Sequence, residues 1–187
     1  MLRMRVSILA VLCALGLAIV PADGDAQVRR GRGGDPLPTW APIAVGLRAG
    51  WDQRANAEVL GAHIRIPVVR SGILEFVPNA EIAFLSGAKD YQYTLETAWV
   101  PGGPRGGVFV SAGIGWRDTV VASATSGRPR DTFFGYVLGA GGKTRVGRVE
   151  VEVALRWVFL NDTTYRPNAA TFGINYPLWQ IGPGAGE

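Results

Sequence analysis

Between Ile43 and Leu178 apolar side chains return at every second position. The first such segment, Ile43-Ala-Val-Gly-Leu-Arg-Ala-Gly-Trp51-Asp52, sets Ile, Val, Leu, Ala and Trp against Ala, Gly, Arg, Gly and Asp. A period of two puts the two sets on opposite faces of a β-strand. The same alternation runs through Leu60–Val68, Leu74–Phe84, Tyr91–Trp99, Val108–Trp116, Phe134–Gly142, Val149–Phe159 and Phe172–Leu178. No charge falls on any of these apolar faces.

The opposite faces collect the ionic residues. They carry Arg48, Arg65, Arg117, Lys143 and Arg156 against Glu75, Glu81, Glu96, Glu150 and Glu152, with His63, Asn79, Asn175 and many of the glycines. Eight antiparallel strands with short connections predict an up-and-down barrel. Which face turns inward decides the class of protein. A soluble barrel would have to pack all the Trp, Phe and Tyr rings of the apolar faces into an interior only just wide enough for side chains. Its water-facing surface would then be richer in Gly than in Lys and Glu, against the usual composition. Turned the other way, small residues and charges fill the narrow core and the apolar face meets lipid. The expectation is an all-β fold: an eight-stranded antiparallel up-and-down transmembrane β-barrel with an apolar exterior and a Gly/charged interior.

Enclosed charges require partners. Hairpin spacing sets Arg65 opposite Glu75 across the Val69–Gly72 turn and brings Arg48 near His63. The candidate interior ion-pair network is therefore Arg48, His63, Arg65, Glu75, Glu81, Glu96, Arg117, Lys143, Glu150, Glu152 and Arg156. With the N-terminus periplasmic, Trp51, Phe84, Tyr91, Tyr93, Trp116, Phe134, Trp157, Phe159 and Phe172 fall toward the outer rim. Trp99 and Trp179, with Trp40, fall toward the other, which makes two membrane-interface girdles. Val69–Gly72, Val100–Gly107 and Thr144–Arg148 are expected as periplasmic connections, and Asp118–Asp131 and Leu160–Ala170 as longer outer loops.

The composition, 48% apolar and 18% charged with 26 Gly, excludes a disordered chain and a charged helical bundle. Arg3 and Arg5, the uncharged run Ile8–Val20 and the small residues through Ala26 have the layout of a secretory signal peptide, cleaved after residue 26. That run of 13 residues is shorter than the roughly 20 a membrane-spanning helix needs. Cleavage removes Cys13, the single thiol. Residues 27–40 read as an Arg/Gly/Pro-rich linker, 41–179 as the barrel and 180–187 as a tail. The net charge of +4 sits largely in Arg29, Arg30 and Arg32 of the linker, so it does not indicate a nucleic-acid partner.

The leader, the eight alternating strands, the charged interior and the last strand, Thr171–Trp179, together resemble the small eight-stranded outer-membrane β-barrel family of Gram-negative bacteria, the OmpA/OmpX type. The resemblance spans 41–179 and is architectural. It implies an integral outer-membrane protein whose partners are outer-membrane lipid, lipopolysaccharide and the assembly machinery, with an extracellular partner met through loops 118–131 and 160–170. Family members usually end on the aromatic of the last strand, whereas Gln180–Glu187 follow Trp179 here. Pro78 is a second departure, and predicts a bulge near Val77–Pro78.

No catalytic, cofactor or metal site is expected. His63, the single His, lies mid-strand without a Ser beside it, and Ser111 is the main inward Ser. Glu150 and Glu152 read as ion-pair partners of Lys143 and Arg156 rather than as a catalytic dyad. One His and no mature Cys leave no metal-ligand set, and Gly139-Ala-Gly-Gly-Lys-Thr144 lacks both the spacing and the following helix of a phosphate loop. The sequence thus favours a structural or surface-interaction protein of the outer membrane that is not an enzyme. A small-solute channel is the alternative, and a soluble periplasmic ligand-binding barrel a more distant one.

Overall fold

The computed structural model describes residues 41–103, 106–121, 130–161 and 167–180. The expected leader and linker lie outside these residues, as do the tail after Gln180 and positions 122–129 and 162–166 of the expected outer loops. The described chain forms eight strands: β1 (Pro42–Asp52), β2 (Ala57–Pro67), β3 (Leu74–Leu85), β4 (Ala88–Trp99), β5 (Gly106–Val121), β6 (Arg130–Val146), β7 (Val149–Leu160) and β8 (Asn168–Gln180). Each pairs antiparallel with the next, and β8 pairs with β1 to close a barrel.

Local chemistry closes the hairpins. Asp52 Oδ1 accepts the backbone N–H groups of Arg54 and Ala55 at 2.9 and 3.0 Å, a side-chain turn that reverses the chain after β1. Asn56, which tolerates the left-handed region, completes the loop at φ 54°. Between β6 and β7 only Gly147 and Arg148 intervene, and Gly147 at φ 62° supplies the first position of a two-residue hairpin turn.

The strands are strongly tilted. Following paired residues from Asp52 through Ala169, Arg156, Gly139, Ser111, Ala98 and Glu75 leads to Pro67, level with the opposite end of β1. One circuit thus descends by about ten residues, the stagger that closes a sheet of this size into a narrow cylinder.

Burial is inverted relative to a soluble protein. Leu47 is 72% exposed, Val108 64% and Trp99 53%, whereas Arg48, Arg65, Glu75, Glu81, Arg117, Lys143, Glu152 and Arg156 are all buried. The period of two therefore sorts as expected, apolar outward and charged inward. Apolar side chains also enter the core: Phe109 packs with Val77, Ala98, Val100 and Ala154, and Val137 with Val158 and Leu160. The alternation alone did not single these out, because they sit on the polar faces.

Several expectations need correction. Strands β5 and β6 run on to Val121 and resume at Arg130, so 118–121 and 130–131 are strand rather than outer loop. Likewise Leu160 ends β7 and Asn168–Ala170 open β8. β-Branched residues carry the pairing past the apolar band: Thr119 and Val120 bond across to Asp131 and Arg130. Of the periplasmic-side connections expected at Val69–Gly72, Val100–Gly107 and Thr144–Arg148, the first lies between β2 and β3, whereas Gly106 and Gly107 already belong to β5 and Thr144–Val146 still belong to β6. Pro67, not Arg65, lies opposite Glu75, a shift of two that keeps both charges inside.

The bulge expected at Val77–Pro78 is also absent. The β2–β3 register is the same on both sides of Pro78, and β3 pairs with β4 without interruption. What Pro78 removes is pairing: Ile64 and Arg65 have no partners in the β2–β3 ladder opposite Val77 and Pro78, because a Pro ring has no N–H to donate. The register shift lies instead between Ile43 and Ala44, where β1 meets Pro177 of β8.

Candidate functional site

The barrel interior holds one continuous chain of alternating charge. Lys143 Nζ donates to Glu75 Oε1 at 2.7 Å, and Glu75 also pairs with Arg65. Arg65 reaches Glu152 Oε2 with Nε at 3.0 Å and Nη2 at 2.6 Å. Glu152 lies 3.5 Å from Arg48, and Arg48 lies 3.3 Å from Glu81. Glu81 then pairs with Arg156, and Arg156 with Glu96. Each base thus sits between acids, which is how ammonium and guanidinium side chains can be enclosed without an isolated buried charge.

The other proposed members join at defined points. Glu150 approaches Lys143 at 3.1 Å and Arg65 at 3.9 Å. Arg48 Nε donates to His63 Nδ1 at 3.1 Å, although Gly46 rather than Arg48 is the backbone partner of His63. Arg117 belongs to a second group nearer the other end, where its Nε donates to Asp90 at 2.9 Å and its Nη1 lies 3.7 Å from Asp52.

Neutral donors finish the acids' hydrogen bonding. Ser111 and Thr94 donate to Glu96 at 2.7 and 2.8 Å, Asn79 donates to Glu96 at 2.9 Å, and Gln92 donates to Glu81 at 3.2 Å. Asn175 donates to both Glu150 and Glu152 at 3.0 Å. The Arg65 guanidinium also lies 5.0 Å from the centre of the Phe109 ring, a cation–π distance.

Sequence reading missed Asp52 and Asp90 as ionic members and Phe109 as an apolar one. Asp90 stands before the alternation of its segment becomes regular, and Asp52 at the edge of a turn, where a polar residue is ordinary. The usable signal for both was parity: Asp90 is in phase with Glu96, and Asp52 with Arg48.

Glycine makes the room. A Cβ on Gly46 would fall 1.9 Å from Asn175 Oδ1 and 2.5 Å from His63 Cε1, and one on Gly173 would fall 2.8 Å from Glu152 Cγ. The long side chain of one strand therefore lies over a glycine of its neighbour, and the Gly-rich face is the steric complement of the charged one. Cavities of about 40, 20 and 10 Å³ lie near Lys143 and Glu150, near Arg117 and Asp90, and beside Phe109 and Ser111. The last two are no larger than the volume assigned to a single water.

Chemically the arrangement binds its own groups. His63 meets Arg48 and Glu152, while the Ser111 hydroxyl donates to Glu96, so these two residues form no His–Ser pair. Among the described residues no group of three or more His, Cys, Asp or Glu is placed to hold a metal ion. Gly139–Thr144 lies within β6, with no helix following.

On the outer surface Trp51, Phe84, Tyr91, Tyr93, Trp116, Phe134, Trp157, Phe159 and Phe172 all lie on outward positions of their strands. Trp116 stacks on Tyr93 at 5.7 Å, and Phe159 on Tyr136 at 4.7 Å. Trp99 lies at the opposite end, and Trp179 pairs there through its backbone with Ile43.

No family model and no curated protein sequence matches the chain. Solved structures do. The N-terminal β-barrel domain of Pseudomonas aeruginosa OprF superposes with a TM-score of 0.60 at 13% identity, over 75% of this chain and 99% of that one. Neisserial surface protein A superposes at 0.55 with 11% identity, over 73% and 94%. Ail, the attachment invasion locus protein of Yersinia pestis, superposes at 0.50 with 9% identity, over 76% and 100%. At such identities the likeness is one of fold: the closed eight-stranded barrel of small outer-membrane proteins.

Proposed function

We propose that this chain is an integral outer-membrane β-barrel protein with a closed, ion-paired interior and a structural or surface-interaction role. The observation that carries the proposal is the inverted burial. Large apolar side chains such as Leu47 and Val108 cover the outside, while charged residues fill the inside. Water would penalise that exterior over its whole circumference, and hydrocarbon would not. Closure also leaves no open sheet edge, as an apolar solvent demands.

The termini of the described barrel share one end with the β2–β3, β4–β5 and β6–β7 connections, which supports a periplasmic N-terminus by analogy with barrels built this way. Lipid and lipopolysaccharide would then cover the apolar face, the assembly machinery would insert it, and the segments joining β5 to β6 and β7 to β8 would face outward to an extracellular partner. A closed role is favoured over a small-solute channel because the alternating charges are paired across the lumen and the spaces among them are small. Among the described residues His63 and Ser111 are each engaged with other interior groups and do not form an activated nucleophile, which favours a non-enzymatic role.

The test is electrophoresis of purified membrane fractions with and without boiling. A membrane barrel stays folded in cold detergent and shifts in mobility on heating. Recovery of the protein in the aqueous phase after carbonate washing, with one unshifted band, would overturn the proposal.

A further inference from the structure

We infer that the end of the barrel carrying its termini docks the headgroups of anionic phospholipids through a ring of arginines. The inference rests on the membrane reading above and adds to it a charged partner at one end. Among the described residues, the exposed charges at this end are Arg70 after β2 and Arg145 and Arg148 around the β6–β7 turn; the acid beside them is the partly buried Glu150, the register partner of Arg145 at the mouth of the lumen. At the other end Arg54 and Lys89 are accompanied by Glu58. Among the described residues the two ends therefore differ in exposed charge.

Position argues for lipid rather than a soluble anion. Val146, two residues before Arg148, is 58% exposed, and Val68 and Ile73 flanking Arg70 are exposed as well. Apolar surface and guanidinium thus meet within a single turn, at the depth where hydrocarbon gives way to headgroups, and an Arg side chain can lie along the apolar surface with its charge at the phosphate level. A soluble polyanion would leave those valines uncovered. The planar guanidinium offers a phosphate two parallel donors, a geometry an ammonium lacks.

The experiment is native mass spectrometry of the purified protein in detergent, titrated with phosphatidylglycerol and, separately, phosphatidylcholine. We expect phosphatidylglycerol to bind about fivefold more tightly or better, the contribution of a single interfacial arginine. Combining Arg70→Gln, Arg145→Gln and Arg148→Gln brings the ratio toward one, while Arg54→Gln with Lys89→Gln at the other end leaves it unchanged. A wild-type ratio near one, an unchanged ratio in the triple variant, or an equal loss from the other end would each overturn the inference. So would equal competition by soluble glycerophosphate, which lacks acyl chains. A heat-dependent mobility shift on the same sample separates the two readings. A shifting barrel without lipid preference refutes only this inference, and a chain that never shifts refutes the membrane reading itself.

Discussion

Replacing Glu152 by Gln tests the interior most directly. Glu152 is 2% exposed and stands between Arg65, at 3.0 and 2.6 Å, and Arg48 at 3.5 Å, with His63 at 3.6 Å. Gln keeps the volume, so no cavity is created and the loss is electrostatic. Removing one member of a buried pair costs about 3–5 kcal/mol, because the remaining charge is left without compensation. Here Arg65 retains Glu75 and Arg48 retains Glu81, which places the expected loss at the lower end, about 3 kcal/mol. The assay is equilibrium unfolding by urea in lipid vesicles, followed by Trp fluorescence, with exposed Glu58→Gln as a control expected within about 0.5 kcal/mol of wild type. Pairing the change with Arg65→Met should recover part of the loss, since an apolar side chain needs no counter-ion, and the coupling would show as non-additivity. A loss for Glu152→Gln below about 1 kcal/mol, the range of exposed pairs, would refute the view that this network is enclosed and interdependent.

Two further substitutions probe the backbone. Gly46→Ala would drive a Cβ into Asn175 and His63, so we expect destabilisation of about 1–3 kcal/mol by urea unfolding, whereas Gly142→Ala, whose nearest neighbour is 3.9 Å away, stays near wild type. Equal effects of the two would sink the steric account of the glycine face. Pro78→Val restores the N–H missing from the β2–β3 ladder, and should stabilise the barrel by about 1 kcal/mol and give the new amide slow hydrogen exchange. Fast exchange at position 78 would show that the interrupted pairing has another cause.

Much of the architecture was legible because a strand in a two-faced barrel writes its environment into its parity. Ile43, Val45, Leu47 and Ala49 needed no tertiary information to be placed opposite Arg48, and the ionic residues of eight segments were found by the same rule. The rule weakens wherever one face stops being uniform. Phe109 sits on the polar face of β5 because the lumen beside Arg65 has an apolar wall, which composition cannot reveal. Strand ends escaped for a related reason: Thr119 to Val121 pair beyond the apolar band, where solvent no longer enforces alternation.

Partners within the core were less legible than membership. Spacing across a hairpin found Arg65 with Glu75, and missed the register by two, because diagonal neighbours on one face are within reach of long side chains. It could not find Arg65 with Glu152, which lie 87 residues apart and on strands that are not adjacent. Sequence by itself determined that this chain has an apolar face and a charged one, and that eight strands alternate between them. Only closure of the cylinder, with its tilt and stagger, decided which acid met which base across the lumen. The physical reason is range: alternation is set residue by residue by the local solvent, whereas ion pairing across a lumen depends on the relative height of strands that never touch.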